Sequence, residues 1–105
     1  MSEYLVRIRT DRPASMSDDA WADIVSAERT RGEELCRRGV IASIWRVAGT
    51  RENVGIWVAD DPDELHREIA SLPAFPWQLV EVSVLAAHPL SALARGEFRT
   101  RTALD

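Results

Sequence analysis

The sequence contains no lysine, because all 13 of its basic residues are arginine. This absence excludes Schiff-base chemistry and a P-loop, both of which depend on a lysine amine. The only cysteine, Cys36, can form no internal disulfide, which is typical of a reducing compartment and predicts a cytoplasmic protein. With two histidines and no cysteine pair, the chain is also expected to bind no metal.

Excess positive charge and long apolar runs are also missing. The formal net charge of −4 argues against a nucleic-acid partner, which requires a basic face. No apolar run approaches the roughly 18 residues of a membrane span, and the alternating first ten residues do not resemble a signal peptide. The 105 residues, 46% hydrophobic and 29% charged, instead indicate one soluble domain. We predict that this domain covers residues 1–90 and that 91–105 form a C-terminal tail.

The order of strands and helices follows from hydrophobic periodicity and from residues typical of helix ends. Ser17 is typical of a helix N-cap, and Gly39 of the left-handed turn that ends a helix. Asp61-Pro62-Asp63-Glu64 has the pattern of a capping box. The predicted elements are a strand at Tyr4–Arg9, a helix from Ser17 to Arg38, strands at Val40–Val47 and Asn53–Ala59, a helix from Asp61 to Leu72, and a strand at Trp77–Ala86.

This βαββαβ order predicts a ferredoxin-like α+β fold, in which two helices cover one face of a four-stranded antiparallel sheet. The last strand is apolar on both sides, with Val80 and Val82 on one face and Leu79 and Leu85 on the other. Strands of this kind are usually buried on both faces. We therefore predict a homodimer with packed sheets, of the dimeric α+β barrel type.

Glu28 is the most informative residue of the first helix. It lies in the middle of an apolar stripe, where an ionised carboxylate without partners costs several kcal/mol. One interpretation is a structural salt bridge with Arg31, three residues further along, or with an arginine of the sheet. The other is a general acid/base in a cleft between helix and sheet. The stripe consists of Trp21, Ile24, Val25, Gly32, Leu35 and Cys36, of which Trp21 and Cys36 are expected in the core.

Arg46 is the second candidate for catalysis. It continues the strand face of Val40, Ala42 and Ile44, and if that face looks toward the helices it enters the same space as Glu28. Arginine binds carboxylates in a bidentate manner and stabilises developing negative charge. The alternative is an exposed arginine near a strand end.

Other candidates have two interpretations each. Trp45, Trp57 and Trp77 come from different strands or strand edges, and they line either a pocket for a flat ligand or a dimer interface. Asn53 either donates to a ligand or caps the hairpin. His88, which follows the last strand, either reaches the mouth of a pocket or has a local structural role.

From Tyr4 to about Leu90 the chain resembles the muconolactone isomerase family. The segments that carry the resemblance are Ala27-Glu28-Arg29-Thr30-Arg31 leading to Arg38-Gly39, Ile44-Trp45-Arg46-Val47-Ala48-Gly49, Asn53-Val54-Gly55-Ile56-Trp57, Leu72-Pro73-Ala74-Phe75-Pro76-Trp77 and His88-Pro89. The resemblance implies the ferredoxin-like fold, dimers that assemble into decamers, and no metal or organic cofactor. It also implies a role in aromatic catabolism, the conversion of muconolactone into 3-oxoadipate enol-lactone.

The resemblance implies roles for the candidate residues. Glu28 would transfer the proton, and Arg46 would stabilise the enolate or bind the substrate carboxylate. Alternatives are a chloromuconolactone dehalogenase or cofactor-free monooxygenase of the same fold, and a non-catalytic ligand-binding module in which Glu28 and Arg46 form only an ion pair. The predicted substrate-binding residues are Arg31, Trp45, Asn53, Trp57, Trp77 and His88.

Overall fold

The structure, a computed structural model, describes residues 1–94, and positions 95–105 of the predicted tail lie outside this part. All the predicted strands and helices are confirmed, with ends shifted by no more than two residues. Within the described residues no helix is long and apolar enough to cross a membrane. The elements are β1 (Ser2–Thr10), α1 (Asp18–Arg37), β2 (Ile41–Arg46), β3 (Asn53–Ala59), α2 (Pro62–Ala70), a 3-10 turn (Phe75–Trp77) and β4 (Gln78–Leu85).

The four strands form one antiparallel sheet in the order β2-β3-β1-β4. Tyr4 of β1 lies opposite Trp57 of β3 on one side and Val84 of β4 on the other. The helix-facing side chains of β1 and β3 form one core with Leu35 of α1 and Leu65 of α2. Both helices therefore cover the same face of the sheet, as the ferredoxin-like fold requires.

The helix ends lie where the sequence places them. The Ser17 hydroxyl accepts a hydrogen bond from the Ala20 N–H at 3.1 Å, and the Asp61 carboxylate accepts one from the Glu64 N–H at 2.8 Å. Both contacts satisfy amide groups that have no partner within the helix. Gly39 has a φ of 76°, a conformation that favours glycine and reverses the chain after α1.

An irregularity in β2 decides which of its side chains face the helices. Ile41 lies opposite Trp57, but Ser43 lies opposite Ile56, so Ala42 is an extra residue in this strand. Alternation along the predicted face of Arg46, Ile44 and Ala42 puts Ile41 on the opposite face, and this prediction is wrong, because Ile41 is buried in the core. The bulge brings both Ile41 and Arg46 to the helix side of the sheet.

The sheet has exposed apolar residues on its outer face and along its β4 edge. The outer face carries Leu5, Trp45, Leu79 and Leu85, each at least 36% exposed. On the helix side, Val84 is 67% exposed, because β4 is an edge strand that the helices leave largely uncovered. Such apolar surface is typical of a face that another molecule covers.

Candidate functional site

A cavity of about 430 Å³ opens between the first half of α1 and the sheet. Its volume is within the range of roughly 300–1,000 Å³ found for small-molecule sites. A wider groove between α1 and β2, of about 680 Å³, shares Glu28 and Arg46 with this cavity. We call the smaller space the Glu28 cavity, and its wall includes Trp21, Val25, Glu28, Arg46, Arg51 and Asn53.

The Glu28 carboxylate is partly buried and accepts one hydrogen bond at each oxygen. Its Oε1 accepts from the backbone N–H of Ala74 at 2.9 Å, and its Oε2 accepts from the Gln78 side-chain amide at 2.8 Å. Among residues 1–94, no arginine nitrogen lies within 4.0 Å of this carboxylate. The interpretation of Glu28 as part of a structural salt bridge is therefore wrong.

The Ala74 N–H is available because of the turn between α2 and β4. Pro73 and Pro76 have no amide proton, and the N–H groups of Phe75 and Trp77 donate within the turn. Ala74 itself is only 2% exposed, so its N–H would be buried without a partner if Glu28 were absent. An unpaired buried donor costs about 1–3 kcal/mol, so this contact fixes the turn as well as the carboxylate.

Gln78, the first residue of β4, orients the other carboxylate oxygen. Its Nε2 donates to Glu28 and lies 3.3 Å from the Thr10 hydroxyl, while its Oε1 is buried and finds no hydrogen-bond partner among the described residues. Neither donor to Glu28 was among the residues predicted from the sequence. The Ala74 N–H is a backbone group with no signal in the sequence, and the only hint of Gln78 is a polar residue at an inward position of an apolar strand.

Arg46, the last residue of β2, lines the cavity with Glu28 on the helix side of the sheet, and it is also exposed near the strand end, as the alternative interpretation had it. Its Nη1 donates to the backbone carbonyl of Arg51, in the hairpin between β2 and β3. Within the described residues neither Arg46 nor Arg51 forms an ion pair with a carboxylate. Both guanidinium groups are therefore available to an anionic ligand.

Asn53 begins β3 opposite Arg46 and lines the same cavity, and its role in ligand binding stays a prediction. Its Oδ1 is buried and has no hydrogen-bond partner in the part of the chain that the structure describes. An unpaired buried acceptor calls for an explanation, and one is that a bound molecule donates to it.

The predicted tryptophan pocket is wrong, because its three members lie in different parts of the fold. Trp45 is 57% exposed on the outer face of the sheet, and Trp57 is 1% exposed in the core. Trp77 packs edge-on against Trp21, with ring centroids 6.1 Å apart. Trp21, expected in the core, is the tryptophan that lines the Glu28 cavity.

Arg31 does not reach Glu28, so this prediction is also wrong. Its guanidinium contacts Glu34 at 2.8 Å, the Ser71 hydroxyl at 3.0 Å and Glu68 at 3.5 Å. Arg31 lies on the flank of α1 that faces α2, where these acceptors attract it. Arg31 therefore links the two helices and does not take the substrate-binding role predicted for it.

His88 lies at the far end of β4 from Gln78 and does not line the Glu28 cavity. Its ring Nδ1 accepts a hydrogen bond from the Leu90 backbone N–H at 3.0 Å. The backbone N–H of His88 donates to the Ser91 hydroxyl at 2.8 Å. These contacts shape the turn after the strand. In this chain His88 therefore takes the local structural role and not a place at the pocket mouth.

The groove beside Glu28 explains two further residues of the α1 stripe. A methyl group added at Gly32 would meet nothing within 4 Å, so this glycine leaves open space in the groove. Cys36 is exposed there, not buried as expected, because the groove separates this flank of α1 from β2. Within residues 1–94, no group of three His, Cys, Asp or Glu side chains is placed to hold a metal ion.

Comparisons with known proteins agree with this architecture. The sequence profile of the muconolactone delta-isomerase family matches residues 2–91. Muconolactone Delta-isomerase of Acinetobacter baylyi is 35% identical over 88 residues, which cover 84% of this chain and 92% of that protein. The enzyme of the same name from Cupriavidus pinatubonensis is 34% identical, over 84% of this chain and 96% of its own.

A solved structure shows the same fold. The crystal structure of a muconolactone isomerase superposes with a TM-score of 0.79 at 27% identity, covering 85% of this chain and 93% of that one. The sequence profile covers most of the chain, and the sequence relatives and the fold point to the same family. The chain therefore belongs to the muconolactone delta-isomerase family.

Proposed function

We propose that this protein is a cofactor-free isomerase that converts muconolactone into 3-oxoadipate enol-lactone by proton transfer through Glu28. The observation that carries the proposal is the setting of this carboxylate. Two neutral N–H groups hold it, and it faces a cavity in which two guanidinium groups form no ion pair with a carboxylate of residues 1–94. The names of the relatives support the choice of substrate.

In this reaction the carboxylate acts first as a base and then as an acid. Glu28 removes the proton from the ring carbon that carries the lactone oxygen. The electron pair moves through the double bond to the carbonyl group and gives an extended enolate. The protonated Glu28 then returns the proton to the carbon next to the carbonyl, so the carboxylate is regenerated and no proton is gained or lost.

The hydrogen bonds to Glu28 suit this exchange. Each carboxylate oxygen accepts one N–H bond and retains a further lone pair for the substrate proton. Arg46 supplies the opposite charge, since its guanidinium group stabilises the negative charge that develops on the carbonyl oxygen. The hydrogen bond from Arg46 to the Arg51 carbonyl holds that guanidinium in the cavity.

A spectrophotometric assay with muconolactone tests the proposal. Glu28→Gln should lower kcat by about 10²- to 10⁴-fold, the usual contribution of a general acid/base. Its thermal midpoint should stay close to that of the wild type, because the new amide oxygen still accepts from Ala74. In deuterated water the wild-type product should carry deuterium next to the carbonyl carbon, to the extent that Glu28 exchanges with solvent.

The matched control is Glu68→Gln, which makes the same change at a partly buried glutamate of α2 and should leave kcat within about twofold. If Glu28→Gln keeps its rate on muconolactone, Glu28 is not the base. The chlorinated lactone separates the dehalogenase alternative, because loss of chloride in place of reprotonation identifies that reaction. Absence of turnover on either lactone favours the non-catalytic binding module.

We further propose that the protein acts in the cytoplasm as a homodimer or a larger assembly built from it, up to the decamer of the family resemblance. The exposed apolar residues on the outer face of the sheet support this arrangement. Light scattering tests it, and a particle of the monomer mass of 11.8 kDa would contradict it.

A further inference from the structure

We propose that the Arg51 side chain binds the carboxylate of the substrate, and that it makes the site selective for lactones with an anionic side chain. The inference deepens the proposed function and rests on it. It gives Arg51 the substrate-binding role of an arginine that the sequence predicted for Arg31.

The charge balance of the Glu28 cavity supports an anionic ligand. Among residues 1–94, three arginines line the cavity, and Glu28 is the only acidic residue of its wall. Arg12 is already compensated, because it forms an ion pair with Asp18 at 2.6 Å and a hydrogen bond to the Met16 carbonyl at 2.9 Å. Arg46 and Arg51 remain, which is one guanidinium for the enolate oxygen and one for a separate carboxylate.

The hairpin holds the Arg51 backbone in a fixed position. The Thr50 hydroxyl donates to the Val47 carbonyl and accepts from the Glu52 N–H, both at 2.9 Å. The N–H of Val47 also donates to the Glu52 carbonyl at 3.0 Å. Arg51 therefore projects from a closed turn at the edge of the cavity.

The neighbouring acid does not neutralise Arg51. The Glu52 carboxylate pairs with Arg7 of β1 at 2.9 Å, and this hydrogen bond raises the pKa of Arg7 above its ordinary value. Arg7 lies on the outer face of the sheet, because it alternates with the buried Val6 and Ile8. Adjacent residues of the hairpin thus serve opposite faces, with Glu52 engaged outside and Arg51 open to the cavity.

The two cavity arginines can be separated experimentally. Arg46 contacts the backbone carbonyl of Arg51 and not its side chain. Truncation of Arg51 therefore removes one guanidinium and leaves the contact that holds Arg46 in place.

The experiment compares two lactones on Arg51→Ala and Arg51→Lys. One is muconolactone, and the other is the same unsaturated ring with a methyl group in place of the carboxymethyl group. Arg51→Ala should raise KM for muconolactone by about 10- to 100-fold, the fold-change expected when a hydrogen bond to a charged group is lost. Its kcat should stay within about threefold, and its kcat/KM for the neutral lactone should not change. Arg51→Lys should recover part of the loss, because lysine keeps the charge but not the bidentate geometry.

Arg67→Ala is the matched control, since it removes the same charge from an exposed position on α2 outside the cavity. Arg67→Ala should leave kcat and KM for both lactones unchanged. Equal losses of Arg51→Ala on both lactones, or an unchanged KM for muconolactone, would overturn the assignment.

A binding measurement separates this inference from the proposed function. The saturated lactone carboxylate has no double bond to move, so calorimetry reports its binding without turnover. If the saturated lactone binds in an Arg51-dependent way but the protein does not isomerise muconolactone, the proposed isomerase function is refuted. The assignment of Arg51 as the carboxylate-binding residue is then retained. If Arg51→Ala binds the saturated lactone as tightly as the wild type and turns over muconolactone fully, the carboxylate-binding role of Arg51 is refuted. The proposed isomerase function is then retained.

Discussion

Two partly buried glutamates on the two helices have opposite surroundings. Glu68 of α2 contacts Arg38 at 2.8 Å and Arg31 at 3.5 Å, so its charge is compensated by two cations. Glu28 of α1 accepts two hydrogen bonds from neutral groups, and the arginines of its cavity stay more than 4.0 Å away. The side chain is the same in both places, and the partners differ in charge.

The difference separates a structural carboxylate from a chemical one. Cations around Glu68 lower the cost of its burial and join the two helices, and their ion pairs compensate its negative charge. Neutral donors around Glu28 fix the direction of the carboxylate without compensating it. Its negative charge is therefore available to a substrate proton, which is the property that a general base requires.

The largest effect on stability is expected where a neutral donor loses its acceptor. Glu28→Ala should lower the free energy of unfolding by about 2 kcal/mol, because the Ala74 N–H becomes a buried unpaired donor. Glu28→Gln should cost much less, since the amide of Gln78 can turn over and present its unpaired Oε1 to the new amide. Urea denaturation measures the free energy of unfolding of both variants. If Glu28→Ala and Glu28→Gln unfold with the same free energy, the Ala74 contact contributes nothing to stability.

A smaller effect is expected from removal of the side-chain donor. Gln78→Leu should reduce kcat for muconolactone by about tenfold, because Glu28 Oε2 loses the group that orients it while the rest of the cavity stays in place. The control is Ser83→Ala, a similar polar deletion at an exposed position of the same strand. A rate equal to that of the wild type would mean that the Ala74 N–H alone orients the carboxylate.

The smallest effect is expected at the ion pairs. Glu68→Gln should lower the free energy of unfolding by about 0.5–1 kcal/mol, since Arg38 is half exposed and solvent screens such pairs. Urea denaturation in low and high salt checks this value, and the difference from wild type should shrink as salt is added. A difference independent of salt would point to packing as its origin.

Periodicity and capping residues sufficed to predict the fold. Ser17, Gly39 and Asp61 act through their own side chain or backbone conformation, so local sequence places the helix ends. The inward position of Glu28 likewise follows from helical spacing alone. These features need no knowledge of what lies across the molecule.

The remaining parts of the site depend on long-range contacts, which sequence patterns do not report. The Ala74 N–H meets Glu28 from 46 positions further along the chain. Helical spacing brings Arg31 near Glu28, but α2 offers it better acceptors. Trp45 and Trp57 are of a residue type that is common in binding pockets, yet pairing in the sheet places them on opposite faces.

The extra residue in β2 has a consequence for changes in chain length. With Ile41 held in the core, deletion of Ala42 would restore strict alternation and leave Ser43 opposite Ile56, so the strand beyond it would keep its two faces. Arg46 would then stay on the side of Glu28, and Trp45 would stay on the outer face of the sheet. The opposite result needs a β2 that keeps all six residues without the bulge, because strict alternation over Ile41–Arg46 turns Arg46 away from Glu28.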